Sequence, residues 1–336
     1  MIHLLRVTSN SAIRIRPRRR PAAHACTLCR LLPTRRSISS SPILSADPRY
    51  VNSTAAPTDF LADPRYVDST AAPADFSPSS AVVYPEAMSQ DEADALVQDI
   101  QNKMRRRRYE KGHWDSVISH YKEVELPLPT ESSIGGAGGP QPLSELSVTA
   151  IQRIRNQLER NHFGPDGAKD PEGRIKDQLP IQWIPCHGID LKKDGRLTAH
   201  VDSVRYSGLI VAGLSLLSSS IMRLRPAAEY SSTDTATIGG DDATEKKKQQ
   251  ESQQHLYEPK PTEAPDDGHV DLYLPPRSLY VLSGVSRYEY THELLDDGSV
   301  FELQSGDGAG AVDDENVIQV ARDRRISVIF RDAKEG

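Results

Sequence analysis

In Thr198-Ala-His-Val-Asp-Ser203 an imidazole and a carboxylate stand two residues apart, in a stretch that reads as a β-strand. Successive strand side chains point to opposite faces, so residues i and i+2 share one. His200 and Asp202 can therefore face a single ion. A second histidine from a distant strand would complete a set of two imidazoles and one carboxylate. That set leaves coordination positions open and suits non-haem Fe(II) oxygen chemistry. An H-x-D alone recurs by chance, and a solvated pair at a strand end is the plain alternative. Support has to come from the rest of the chain.

The chain has ten histidines. His3 and His24 fall in the N-terminal segment, and His113, His120 and His162 in helical or loop context. His187 belongs to the neighbouring strand, while His255 and His269 flank an insertion. His292, in Arg287-Tyr-Glu-Tyr-Thr-His292, is the one embedded in an aromatic, alternating strand near the C-terminus. A lone strand histidine is ordinarily a satisfied core group, so its weight depends on the residues C-terminal to it. Those include Arg325 and Arg331, six residues apart with Ser327 between them. At period two all three share a face, and Ile326, Val328 and Phe330 share the other. Buried without partners such polar groups are costly. A dicarboxylate cosubstrate would satisfy them, because the planar guanidinium holds carboxylates in bidentate pairs. A surface strand with two solvated arginines is the alternative.

The elements that must position these residues come in two blocks. Ser89-Gln-Asp-Glu92 is a capping box, followed by Ala93, Leu96, Val97, Ile100 and Met104 at helical spacing. Arg105 to Arg108 suits the negative end of that helix. Trp114, Val117, Ile118 and Tyr121 suggest a second short helix, and Leu143 to Arg160 a third, after the glycine-rich connection at 135–140. From Ile181 the period changes to two. Ile181–Trp183 and Gly188–Leu191 lead to Lys192-Lys-Asp-Gly195, a hairpin-turn signal, and the returning strand carries His200 and Asp202. Leu209–Leu217 reads as a strand buried on both faces. Ile221–Arg225, Val270–Leu274, Ser278–Leu282, an alternating segment with Tyr288, Tyr290 and His292, and Arg325–Arg331 complete the strands. The expected fold is mostly β: a double-sheet, jelly-roll core with N-terminal supporting helices. Residues 226–267 and 296–315 are polar and lack a period, as expected of an insertion and a loop.

Composition narrows the function classes. Residues 1–46 hold nine arginines and no acid, which is transit-peptide composition. We read residues 1–45 as a mitochondrial presequence, the alternative being a basic nucleic-acid-binding arm. The net charge of −6 becomes −15 without those arginines (32 basic against 47 acidic residues), which disfavours non-specific phosphate-backbone binding. Residues 46–81 are expected to be a linker holding a tandem repeat, Ala46–Phe60 and Ala62–Phe76, with the domain itself spanning 82–335. Three cysteines, including the lone Cys26-x-x-Cys29 pair, do not make a disulfide framework. No apolar run reaches the ~20 residues of a membrane helix.

H-x-D, a histidine about 90 residues on, then R-x-S-x-x-x-R resembles the AlkB family of Fe(II)- and 2-oxoglutarate-dependent dioxygenases. Finer phrases are similar to a mitochondrial member: Arg105–Tyr109 with His113-Trp-Asp115, His200–Ser203, Ala212–Leu217, Ser278–Tyr280, Arg287-Tyr288, His292-Glu293 and Arg324–Val328. The likeness runs from about Tyr84 to Arg331 and leaves out the repeat and the insertion. It implies His200, Asp202 and His292 as iron ligands and Arg325 as partner of the distal carboxylate of 2-oxoglutarate. Arg331 would stand beside the metal end of that cosubstrate, with Tyr280 donating its phenol. Ser327 takes the place where nucleic-acid-repairing relatives carry Asn.

The implied reaction uses dioxygen and 2-oxoglutarate, releases succinate and CO2, and hydroxylates or demethylates a prime substrate. Repairing relatives flip a base into an aromatic lid, whereas 161–179 offers no such lid. The expectation is a monomeric matrix enzyme acting on a protein or other matrix component. A non-catalytic metal-binding regulator, an RNA demethylase and a zinc hydrolase are the other readings.

Overall fold

The helices form where their caps predict. In the computed structural model, Ser89 and Glu92 bond reciprocally, with Ser89 N–H donating to Glu92 Oε2 at 2.8 Å, and α1 runs Gln90–Met104 behind them. Its Ala93, Leu96, Ile100 and Met104 are buried. Ser144 caps α2, Glu145–His162, which buries Ile151, Ile154 and Leu158. Asp99 of α1 accepts from the backbone and hydroxyl of Ser144 at 2.8 and 2.7 Å, so one carboxylate joins a helix face to the next helix start.

The structure describes residues 57, 59–112, 117–129, 142–176, 180–205, 207–227, 268–304 and 316–334. The expected presequence, the first repeat copy up to Ala56, His113-Trp-Asp115, the glycine-rich connection at 135–140, 228–267 and 305–315 lie outside them. All described residues fall within one unit, 51–336.

Among the described residues, twelve strands run in chain order: β1 Val67–Asp68, β2 Ala81–Tyr84, β3 Ile118–Leu126, β4 Cys186–Leu197, β5 Ser207–Leu216, β6 Ser220–Pro226, β7 Val270–Leu274, β8 Leu279–Ser283, β9 Tyr290–Leu294, β10 Val300–Glu302, β11 Val317–Gln319 and β12 Arg325–Ala333. A five-residue helix, α3 Gly284–Tyr288, leads from β8 into β9. The major sheet has the order β2-β8-β5-β12-β4-β3 and the minor sheet β1-β7-β6-β9, all pairs antiparallel, with β10-β11 a separate hairpin. The protein is a mostly-β jelly roll with a helical buttress. Ile326, Val328 and Phe330 of β12, with Ala212 and Leu214 of β5, pack under Leu96, Ile100, Ile151 and Ile154. The opposite face of the major sheet meets the minor sheet, where Leu191, Tyr280 and Leu282 join Met222, Leu224, Leu272 and Leu274. Leu224 pairs Val270, so the insertion at 226–267 connects two adjacent antiparallel strands.

Four expectations need correction. Residues 118–126 are strand β3, and His120 lies in it. The helical spacing arises because β4 places four residues, 192–195, opposite the single His120, which takes φ +51°. That bulge shifts the side-chain period by one. Asp194-Gly195 is therefore an excursion inside a continuous β4, and no hairpin turn forms there. Tyr288 closes α3 and does not alternate along β9. Finally, the folded body begins before Val82. Val67 and Asp68 of the second repeat copy pair Leu272 and Asp271, and Phe76 packs on Tyr290 with ring centroids 5.6 Å apart. Phe60, its counterpart in the first copy, is buried against Tyr84, and its backbone exchanges hydrogen bonds with the Gln157 side chain. Two aromatic anchors and an edge pairing overcome a composition that reads as linker.

Candidate metal and cosubstrate site

The chain leaves β4 at Leu197, crosses from the major sheet, and meets β9 of the minor sheet through one bridge, His200 to His292. His200 N–H donates to His292 O at 3.2 Å and the reverse bond is 2.8 Å. The H-x-D segment is thus extended only locally; Asp202 lies beyond any strand. The outcome expected from strand alternation still holds. Ligand atoms of His200, Asp202 and His292 all lie within 4.8 Å of one another. The two imidazoles sit 4.1 Å apart by centroid, and His200 Nε2 is 3.8 Å from Asp202 Oδ1.

Surrounding groups set the chemistry of these donors. His200 Nδ1 lies 2.8 Å from the Thr198 carbonyl. Nδ1 donates to that carbonyl, which turns Nε2 toward Asp202. His292 is 5% exposed, and burial, with His200 next, pushes its pKa down to about 3, so it is a neutral donor. For Asp202, burial raises the pKa but is outweighed by Arg331, then His292, His200 and Arg287, which hold the carboxyl below the usual range. Arg331 Nη2 reaches both Asp202 oxygens, at 3.3 and 3.4 Å.

Arg325, Ser327, Ile329 and Arg331 line the face of β12 that looks away from the helices. Arg325 is 4% exposed; it donates to Ser215 Oγ at 2.7 Å, and its Nε has no partner. No carboxylate among the described residues pairs with it, and burial drives its pKa down from 12.5 to about 10. Tyr280 stands opposite Gly213 on the adjoining strands. Its pKa is pushed up to about 12 by burial, so the phenol stays protonated and can donate. A methyl at Gly213 would overlap that ring, so the glycine makes room for it. Ser327 is buried between the arginines, its backbone paired with Ser215 and Ile189. All seven residues singled out from the sequence are thereby brought to the space between the two sheets. Ser215, Gly213 and the carbonyl of Thr198 were not foreseen. An isolated glycine in an apolar strand is a sign of close approach and could have flagged Gly213.

Two imidazoles, that of His292 kept neutral by burial, one ionised carboxylate, and a buried arginine wanting an anion on the same inner wall suit iron and an α-keto dicarboxylate. The chain is an Fe(II)- and 2-oxoglutarate-dependent dioxygenase. It is 32% identical over 256 residues to the mouse protein "Alpha-ketoglutarate-dependent dioxygenase alkB homolog 7, mitochondrial", across 76% of this chain and 80% of that one. Its identity to the Bos taurus protein of the same name is 29% over 257 residues, with the same coverage. The chain belongs to the AlkB homologue 7 family. No family model matches it. Among solved structures, OsALKBH1 aligns with TM-score 0.38 at 15% identity, covering 75% of this chain and 97% of that one. A Pseudomonas putida prolyl-4-hydroxylase aligns with TM-score 0.37 at 11% identity, covering 76% and 94%.

Proposed function

We propose that His200, Asp202 and His292 hold Fe(II), while Arg325 and Tyr280 bind the distal carboxylate of 2-oxoglutarate. Arg331 steadies Asp202 and stands beside the cosubstrate's metal end, and Ser327 lines the wall between the two arginines. The observation that carries this reading is Arg325, a buried cation without a carboxylate among the described residues, six residues along one strand face from the arginine that pairs with Asp202. Bound iron supplies oxygen activation, coupling decarboxylation of 2-oxoglutarate to succinate and CO2 with hydroxylation of the substrate. The chain's own residues orient the cosubstrate, keep His292 neutral and Asp202 ionised, and exclude water.

The prime substrate we favour is a protein side chain or another component of the mitochondrial matrix. The net −15 outside the first 46 residues weighs against a phosphate backbone. The aromatics beside the 163–176 stretch are already engaged: Phe163 packs edge-on to Trp183, whose indole donates to Glu159. No free aromatic plate for a flipped base is left there among the described residues. A mitochondrial location rests on the acid-free, arginine-rich N-terminus and on the relatives' names. The test is anaerobic titration with Fe(II) and 2-oxoglutarate, followed by admission of oxygen. Succinate release that is lost in Asp202→Ala is the expected result. Absence of any decarboxylation, even uncoupled from substrate, would leave only a regulatory metal-binding role on this fold.

A further inference from the structure

The segment that carries Asp202 has little regular structure to hold it. Residues 201–205 form no strand pairing, yet the carboxylate must stay aligned with two histidines. The support comes from Arg287, on the last turn of α3 and 2% exposed. Its Nη1 donates to the carbonyl of Asp202 at 2.9 Å, and its Nη2 to the carbonyl of Ser203 at 3.1 Å. Nη2 also donates to Ser207 Oγ at 2.6 Å, and that hydroxyl in turn donates to Ser203 O at 2.8 Å. The next residue, Tyr288, reaches the same strand start, its hydroxyl donating to Gly208 O at 3.0 Å. The guanidinium lies 5.1 Å from the Tyr288 ring centroid, which adds a cation–π contact.

Arg287 is five residues before His292. A single side chain therefore fixes the backbone of one metal donor relative to the strand that bears another. We propose that Arg287 is a positioning residue for the metal centre, coupling the Asp202 segment to His292 through α3. The role uses what distinguishes arginine, a planar fork able to serve two consecutive carbonyls and a hydroxyl at once. A lysine offers one compact ammonium and cannot span all three. Outer groups that orient ligands set metal affinity, and losing one costs about 10- to 100-fold. The inference rests on His200, Asp202 and His292 being the metal ligands, and its test separates the two claims.

The test is titration of the purified chain with Co(II), followed by its visible absorption, in wild type, Arg287→Gln, Arg287→Lys, Ser207→Ala and Asp190→Asn. Asp190 is a buried carboxylate in a bidentate pair with Arg324 at 2.8 and 2.7 Å and has no contact with the donors, so its variant controls for general loosening. The expected result is Co(II) binding weakened at least about tenfold in Arg287→Gln, partly restored in Arg287→Lys, weakened a few-fold in Ser207→Ala, and unchanged in Asp190→Asn. Affinity within about twofold of wild type in both Arg287 variants would overturn the inference while leaving the ligand assignment standing. Equal weakening in Asp190→Asn would overturn it too, since loss of stability would then explain the effect. If wild type itself takes up no Co(II), the ligand assignment fails and the inference falls with it. Should Arg287→Gln not fold, Arg287→Lys and Ser207→Ala decide the question alone.

Discussion

Replacing Arg325 by methionine should do two opposite things. A guanidinium whose pKa falls from 12.5 to about 10 on folding is held at a cost in the folded state. At about 1.4 kcal/mol per pKa unit, that cost is on the order of 3 kcal/mol. The sign comes from linkage. At pH 7 the group is charged in both states, so the penalty is fully present, and it lifts only as pH rises from about 10 toward 12.5. Methionine has a similar length and no charge. It removes the penalty but also the bond to Ser215, which offsets roughly 1–2 kcal/mol because Ser215 is itself buried. The cosubstrate-free variant should therefore be as stable as wild type or more so, melting up to a few degrees higher. That contrasts with the roughly 3–5 kcal/mol lost when a paired buried arginine is removed. Cosubstrate binding moves the other way. Losing a desolvated charge pair costs roughly 2–5 kcal/mol, or at least about thirtyfold in affinity for 2-oxoglutarate. Thermal melts and urea midpoints, with Mn(II) as a redox-silent metal and with or without 2-oxoglutarate, separate the two effects. A variant destabilised by about 3 kcal/mol without cosubstrate, yet still protected by 2-oxoglutarate as wild type is, would refute the reasoning.

Gly213→Ala places a methyl on the Tyr280 ring, so the ring must move. Overpacking of about 1–3 kcal/mol and a raised KM for 2-oxoglutarate, with metal affinity unchanged, are expected from melts and steady-state kinetics. His162 is buried against Tyr84, and burial lowers its pKa from 6.5 to about 4. Below pH 6.5 the unfolded chain gains a proton there that the folded chain refuses, so stability falls as pH drops toward 4. Between about pH 6 and 5, urea midpoints should show His162→Phe losing stability less steeply than wild type, by about 1.4 kcal/mol per pH unit; parallel slopes would sink this account. Phe60→Ala and Phe76→Ala should each cost about 3–5 kcal/mol, a loss that a true linker would not show in a denaturant titration.

The parts of the fold legible in the sequence were those whose signals are local. The Ser89–Glu92 box announces α1, and the unbroken apolar run of β5 announces a strand covered on both faces. The arginines of β12 could be placed on one face because that strand keeps period two from Arg325 to Arg331. β3 was illegible for a physical reason: the irregularity at His120 puts Ile118 and Tyr121 on the same face three residues apart, which imitates a helix. Asp194-Gly195 carries true turn chemistry, but tertiary pairing on both sides of it diverts that chemistry into an excursion within β4. The second repeat copy reads as a linker because its anchoring contacts, Phe76 on Tyr290, Tyr66 stacked on Tyr273 and a two-residue pairing to β7, are all with residues more than 190 away in sequence. The role of Arg287 depends on carbonyls about 85 residues earlier, which no local pattern encodes.

The proposed donors come from both sheets, and this would give a bound metal a mechanical role. His292 belongs to the minor sheet, while His200 and Asp202 come directly after β4 of the major sheet and touch β9 through one bridge. Two backbone bonds and the Arg287 contacts hold that crossing before any ion binds. A metal bridging all three donors would lock the sheets at the mouth, adding RT ln(1 + [M]/Kd), about 2.7 kcal/mol at a hundredfold excess over Kd. Local opening should then be quenched chiefly in 198–205 and β9, and hardly in β5, whose residues are buried throughout. Hydrogen exchange with and without Mn(II) measures this directly. Uniform protection across both sheets would mean that the metal stabilises the domain as a whole, and that the mouth is already closed by the chain's own bonds.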